Sequence, residues 1–364
     1  MQHGYNMVTQ QLLNDVAILK ILRNPRRLIS LKNVTMRDIA NVIGVSVVSV
    51  SKALSGDSGV SQELREKIIR LATEMGYVNP NTRRAPAAKA LDIGVLVPMR
   101  FFKPDSYYAM LAPMLVQELT NAGHFCLLET LDETAEEALE LPNLIRRRHV
   151  DGLILLGEPS KAYLQAITAQ PTPLVFLDFY DDRGSAPAVV GDNTYGAYRL
   201  TNHLIKSGHK NIAYVGRTSF TSSVMDRFLG YYRAMLSAGL PVRAEWLLDD
   251  RDARGNILAP ELPREMPTAF VCNCDVTAHK LMEKLLAQGY RIPEGISVVG
   301  FDNYPATPAA LPQLSSFRLD YEAMLRSAVQ LITDCCASQT TVPGRLVIGG
   351  HPQYKASDGP APQP

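Results

Sequence analysis

A chain of 364 residues with 46% hydrophobic content is globular in composition and long enough for two or three cored domains. The formal net charge of +1 conceals an asymmetry: residues 1–90 carry 13 Lys+Arg against 6 Asp+Glu, and the remainder 24 against 30. No apolar run reaches the ~18 residues that a transmembrane helix needs, and five unevenly spaced cysteines, Cys126, Cys272, Cys274, Cys335 and Cys336, form no disulfide framework, which fits reduced thiols of a cytoplasmic protein.

Met1–Leu31 reads as an N-terminal extension. Within it Val8–Leu22 has an amphipathic helical pattern, followed by Arg23, Arg26 and Arg27 around Pro25, and no small-residue cleavage site follows an apolar core. An upstream extension and a basic arm that adds phosphate contacts both fit these residues. The next stretch, Val34–Leu54 (VTMRDIANVIGVSVVSVSKAL), predicts two short helices. Thr35 followed three residues later by Asp38 makes a capping box, and Ile39, Ala40 and Ile43 keep one face apolar until Gly44 supplies a left-handed stop. Ser46 caps a second helix from about Val47 to Leu54, in which Val50 and Leu54 share a face while Val47, Val48, Ser51 and Lys52 fall elsewhere. Gly56–Val60 is a turn, Ser61 a cap, and Leu64, Ile68, Leu71 and Met75 stripe a third helix that stops at Gly76. Two helices joined by a Gly-containing turn have the geometry of a major-groove reader, although any small helical bundle shows the same spacing.

Over Val34–Tyr77, and most of all in GVSVVSVSKALSG with the following VSQELREKI, the chain resembles the lactose-repressor (LacI/GalR) family of transcription regulators. That resemblance implies an all-α, three-helix DNA-binding headpiece with a helix-turn-helix, here residues 32–80. It places Val47, Val48 and Lys52 at base-reading positions and Ser46, Ser49 and Ser51 at phosphate-facing ones, with Thr35 completing the DNA-binding set. The chemistry agrees, because branched apolar side chains gain nothing in water but bury surface beside thymine methyls, and Lys52 can donate to a guanine edge or a phosphate. The rival arrangement has both valines packed on the third helix. The basic excess of residues 1–90 is the sign that phosphate neutralisation requires.

Residues 81–90 (NTRRAPAAKA) are a hinge or linker. Relatives commonly fold a hinge helix here on operator DNA and push a leucine into the minor groove. This sequence departs from that pattern: Ala85 stands where the leucine would be, Pro86 follows, and a proline inside a short helix costs ~3 kcal/mol. Arg83, Arg84 and Lys89 remain suited to phosphates or a narrow minor groove.

From Asp92 the pattern alternates between strands and helices: IGVLVP, a helix over Tyr107–Ala122, FCLLET, a helix over Glu133–Arg148, GLILLG, a helix over Lys161–Ala169, PLVFLD and AVVGD. A second set follows through NIAYVG, TAFVCN and ISVVGFD. This is the rhythm of parallel sheets covered on both faces. The resemblance implies an α/β, two-lobed effector domain like that of periplasmic sugar-binding proteins over residues 91–350. The first lobe is expected at about 91–191 plus 316–340, the second at about 192–315 plus 341–350 with RLVIGG finishing it, and residues 351–364, rich in proline, as a disordered tail.

Ligands in such sheets bind outside the carboxyl ends of the strands. The loops there carry Arg100, Phe101 and Phe102, then Tyr107 and Tyr108, then Asp178 and Phe179, then Asp192. Arg227, Cys274, Asp275 and Asp302 stand at matching family positions in the second lobe. The effector-binding set is therefore Arg100, Phe101, Tyr107, Tyr108, Phe179, Asp192, Arg227, Cys274, Asp275 and Asp302. Asp275 equally fits the role of a cap for the helix that follows it, and one of Tyr107 and Tyr108 is expected to face the core. An arginine fork with a carboxylate clamps vicinal hydroxyls, and an aromatic ring covers a sugar's apolar face. His124, His203, His209, His279 and His351 lack ligand spacing, so no metal and no cofactor are expected, and Cys272-x-Cys274 has no second ligand pair. GxSxG, P-loop, GxGxxG and HExxH motifs are absent, which argues against an enzyme. The expected function is a sequence-specific repressor, a homodimer on double-stranded operator DNA, controlled by a small molecule, most naturally a carbohydrate, between the lobes. The alternative is a solute-binding receptor, which needs an export signal and no headpiece.

Overall fold

The computed structural model describes residues 35–55, 59–75, 90–103, 106–147, 149–252, 255–303, 310–338 and 344–362. The extension over residues 1–31, Arg83 and Arg84, and the Ala85–Pro86 hinge lie outside the described residues. The chain divides into two compact units, with the boundary between residues 89 and 90.

The first unit holds α1 (Met36–Ile43), α2 (Val47–Ser55) and α3 (Gln62–Glu74). Thr35 and Asp38 form the expected capping box: Asp38 Oδ2 accepts from the Thr35 amide at 2.8 Å, and Thr35 Oγ1 accepts from the Asp38 amide at 3.3 Å. Gly44 closes α1 at φ 79°, a conformation in which an L side chain would be strained. Ile39, Ala40, Val50, Ala53, Ile68 and Ala72 are buried from all three helices and form one small core. Arg65 ties α3 to α2 by donating to the carbonyls of Lys52 and Ala53 at 3.3 and 3.2 Å.

The second unit has two parallel sheets. The first-lobe strands are β1 (Asp92–Pro98), β2 (Phe125–Leu131), β3 (Gly152–Leu156), β4 (Leu174–Leu177) and β5 (Ala188–Gly191), and the second-lobe strands are β6 (Ile212–Val215), β7 (Leu247–Leu248), β8 (Ala269–Cys272) and β9 (Ser297–Val299). β10 (Ser316–Leu319), β11 (Arg345–Ile348) and β12 (Gly350–Gln353) follow. The sheet orders are β11-β5-β4-β3-β1-β2 and β7-β6-β8-β9, so each lobe's first strand lies one in from an edge, with the second strand outside it and the later strands running the other way. The central strands β3, β4, β5, β6 and β8 are buried along their whole length, which is why their sequences are unbroken apolar runs. The helices are α4 (Tyr107–Asn121), α5 (Glu133–Glu137), α6 (Asn143–Arg146), α7 (Lys161–Thr168), α8 (Asn193–Lys206), α9 (Ser222–Ser237), α10 (Asp275–Ala287) and α11 (Tyr321–Ser338). α8 and α9 pack closely because Gly230 lacks a side chain; a Cβ there would lie 2.2 Å from the Thr194 carbonyl oxygen.

Three expectations are corrected. The single helix over Glu133–Arg148 is two short ones, α5 and α6. Leu139 turns the chain at φ 56°, Pro142 precedes α6, and the Glu129 carboxylate caps α6 by accepting from the amides of Asn143 and Leu144 at 2.9 and 3.0 Å. Residues 345–348 belong to the first lobe, not the second, because β11 pairs in parallel with β5. The chain then crosses, and β12 pairs antiparallel with β10. The tail is also ordered over its described part. Val298 and Ser357 bond reciprocally, amide to carbonyl at 2.8 Å and Ser357 Oγ to the Val298 carbonyl at 2.7 Å. The Asp358 carboxylate is held by His203 and Ser315. A Ser-Asp-Gly segment with partners on β9 and α8 thus overrides a Pro-rich composition. All five cysteines are free thiols. Among the described residues no group of His, Cys, Asp and Glu could hold a metal, and no helix is long and apolar enough to cross a membrane.

Candidate functional site

In the first unit, α2 turns its sealed face, Val50 and Ala53, inward, and leaves Val47 39% and Val48 63% exposed. The alternative in which these valines pack on α3 is thereby excluded. Lys52 is exposed on the same helix, while Ser49 and Ser51 are half-buried. The hydroxyls of Thr35 and Ser46 are both engaged at helix starts: Ser46 Oγ accepts from the Ser49 amide at 3.0 Å and lies 2.9 Å from Ser49 Oγ. α1 and α2 therefore begin on capped turns, and the N-terminal end of α2 carries two branched apolar side chains into solvent.

In the second unit, a cavity of about 340 Å³ opens between the lobes at the carboxyl ends of their strands. Eight of the ten predicted effector residues line it: Arg100, Phe101, Tyr107 and Tyr108 from the first lobe, and Arg227, Cys274, Asp275 and Asp302 from the second. The other two do not. Phe179 is 1% exposed and stacks on Phe176 at 4.6 Å in the first-lobe core, because the chain sends Asp178 towards the cavity and its neighbour the opposite way. Asp192 is the N-cap of α8, its carboxylate accepting from the Tyr195 amide at 3.1 Å.

Arg227 is the hub of the second-lobe side. At 5% exposure it donates to Asn193 Oδ1 at 2.8 Å and to the Asn273 carbonyl at 2.6 Å, its Nη2 stands 3.0 Å from Asp302 Oδ1, and its guanidinium lies 4.0 Å from the Phe301 ring centre. Burial works against its charge, but Asp302 and Asp178 outweigh that and raise its pKa. On the first-lobe side the Tyr108 hydroxyl donates to Asp178 Oδ2 at 2.8 Å. Asp178 is 2% exposed, and burial pushes its carboxyl up to about 7. Its Oδ1 and the Tyr107 hydroxyl are buried without a hydrogen-bond partner among the described residues. Asp178 and Asp302 also hold φ of 70° and 97°, a left-handed backbone that non-glycine residues adopt at a cost of ~1–3 kcal/mol. Strained, buried carboxylates facing one cavity mark a ligand site rather than a packing core.

The roles of several lining residues differ from expectation or were missed. Asp275 is the first residue of α10, not its cap; Cys274 stands at the cap position and makes no side-chain cap bond, while Asp275 Oδ1 accepts from Ser316 Oγ at 2.7 Å. Arg100 is paired with Glu136 and also donates to the Glu158 carbonyl at 2.8 Å. Lys103, Arg251, Asn273 and Lys280 line the cavity without having been singled out, and so does Asp178, which sequence reading placed in the loop after β4 but not in the set. Lys280 follows the lining residue Val276 by one helical turn, a spacing that could have found it.

Comparison with known proteins adds to this geometry. Residues 201–357 match the periplasmic binding protein-like domain, and residues 35–81 match bacterial regulatory proteins of the lacI family. The chain joins a lacI-family DNA-binding domain to a periplasmic-binding-protein-like domain. Catabolite control protein A of Priestia megaterium is 29% identical over 78% of this chain and 87% of that protein. The transcriptional repressor CytR of Escherichia coli strain K12 is 27% identical over 82% and 89%. The regulator GntR of Pseudomonas aeruginosa is 27% identical over 91% and 97%. Among solved structures, the complex of the transcriptional regulator CelR with cellobiose superposes with a TM-score of 0.63 at 25% identity, covering 89% of this chain and all of that one. The lac repressor dimer bound to operator and the anti-inducer ONPF shares the fold, with a TM-score of 0.61 at 22% identity, over 90% of this chain and all of that one.

Proposed function

We propose that this protein is a lacI-family transcriptional repressor that grips operator DNA through α2 as a homodimer in the cytoplasm, and that a small molecule in the interlobe cavity sets the strength of that grip. Two headpieces on two half-sites double the DNA surface read. Val47 and Val48 contact base edges, Lys52 a guanine edge or a phosphate, and Thr35, Ser46, Ser49 and Ser51 the backbone. The observation that carries the reading is the exposure of Val47 and Val48 on a helix whose opposite face is sealed. A solute receptor has no use for such a headpiece. In the cavity, the Arg227–Asp302 pair and the Asp178–Tyr108 pair grip ligand hydroxyls from opposite lobes, and Phe101 offers its ring.

The test is selection of bound sequences from random duplexes by the full chain, followed by the same selection with Val47→Thr and Val48→Gln together. A changed consensus at positions symmetric about the site centre is expected. An unchanged consensus removes α2 from base reading.

A further inference from the structure

Among the described residues five cationic side chains line the cavity, and three of them have described carboxylate partners: Arg100 with Glu136, Arg227 with Asp302 and Arg251 with Asp250. The remaining two do not. Lys103, from the first lobe, donates to the side-chain carbonyl of Asn256, a neutral group. Lys280, from the second, makes no hydrogen bond or ion pair with any described residue. It stands on the cavity-facing side of α10, one turn beyond Val276, and the acid in the first turn of that helix, Asp275, already accepts from Ser316 Oγ. Opposite, the described acids of the first lobe give little compensation: Asp178, the one lining carboxyl among the described residues there, is half neutral near pH 7 and already accepts from Tyr108.

An open cleft keeps an unpaired ammonium hydrated, but closure around a ligand expels that water. A neutral polyol would leave two desolvated ammonium groups without a counter-charge, which is costly. A ligand carrying its own anionic group removes that cost and converts it into charge-assisted hydrogen bonds. Asp178 Oδ1 and the Tyr107 hydroxyl, buried and unpartnered, meanwhile ask for hydroxyl groups at the other end.

We infer that the ligand of this cleft is a polyhydroxylated acid, its hydroxyls bound by Asp178, Tyr107 and the Arg227–Asp302 pair and its carboxylate or phosphate bound by Lys280 and Lys103. The inference rests on the reading of the cleft as the effector site. It narrows the effector from carbohydrates in general to sugar acids and sugar phosphates.

The experiment is calorimetric titration of the purified full-length protein with matched sets: glucose, gluconate and glucose 6-phosphate; galactose, galactonate, galacturonate and galactose 6-phosphate; ribose, ribonate and ribose 5-phosphate. At least one acid is expected to bind about ten-fold or more tighter than its neutral parent, as a charged hydrogen bond supplies, with affinity falling as NaCl is added. The carboxylate and phosphate members of each set separate the two sources of charge. Lys280→Met and Lys103→Met should each bring the acid towards the level of its parent. The inference is overturned if no acid exceeds its parent, or if the preference survives both lysine variants. Neutral sugars that bind tightly and lose affinity in Arg227→Met would keep the cleft as the effector site and remove the anion. Tight binding that is indifferent to Arg227→Met would instead remove the cleft reading itself.

Discussion

Replacing Arg227 with Met tests the interlobe cleft at its hub. Two acceptors lose their donor at once, Asn193 Oδ1 and the Asn273 carbonyl, Asp302 loses its ion-pair partner, and the guanidinium no longer lies over the Phe301 ring. Removing one partner of a buried ion pair costs ~3–5 kcal/mol, because the remaining charge stays buried without compensation. Water entering the cleft offsets part of this, so the lower end applies. With ~2–4 °C per kcal/mol for a domain of this size, the effector domain should melt roughly 6–12 °C lower. A second variant separates charge from packing: with Asp302→Asn added, the carboxylate that was ion-paired with Arg227 is gone, and more than half of the lost stability should return. Both variants should have lost ligand response. The assay is thermal unfolding of the full chain followed by near-ultraviolet dichroism, with operator binding measured alongside. A single variant that melts within 1 °C of the parent, or a double variant no more stable than the single one, would refute the buried-pair account.

Asp178→Asn should change the pH profile of stability. The folded carboxyl titrates at about 7 because of burial, whereas an unfolded one titrates near ~4. Between these values the folded state holds the extra proton, so the group's contribution to stability is full below the lower value and is lost as pH rises through the upper one. The variant should lack this acid-side gain between pH 5 and 8; superimposable melting profiles would contradict the assignment. Thr35→Ala removes the side-chain half of the capping box at α1, the Oγ1 that accepts from the Asp38 amide, and leaves the backbone amide that donates to Asp38; it should weaken the headpiece by ~1 kcal/mol, read as faster amide hydrogen exchange in α1 with the effector domain unaltered. Deleting residues 356–364 removes the Ser357 and Asp358 contacts to β9, His203 and Ser315, and at ~1 kcal/mol for each lost bond should lower the melting temperature of the second lobe by several degrees. An unchanged melt would mean that the tail does not hold the lobe.

Much of this protein was legible where its structure is decided over short distances along the chain. The Thr35–Asp38 box, the Gly44 stop and the apolar stripe of α3 are local signals, and each appears as read. The core strands were legible because burial on both faces demands apolar runs. The failures share a different cause, which is pairing across the chain. Nothing near residue 345 announces that β11 joins β5, and nothing near Ser357 announces β9. The acidic stretch after Glu133 looks like one helix until Glu129, on β2, caps a second start at Asn143. In the cleft, strand ends gave the right loops, but alternation of side chains decided which neighbour faced inward: Asp178 does and Phe179 does not. Lys103 and Lys280 carry no motif, and only the cavity brings them to one place.

The central claim is that occupancy of the cleft changes the grip of the headpiece on DNA. Its most direct test is the affinity of the full chain for a duplex recovered by selection, measured by fluorescence anisotropy with and without the tightest ligand of the calorimetric panel, in the parent and in Arg227→Met. A coupling of ~1–3 kcal/mol predicts a 5–150-fold shift in the parent and none in the variant. Equal operator affinity with and without ligand in the parent, at concentrations that saturate the cleft, would contradict the account.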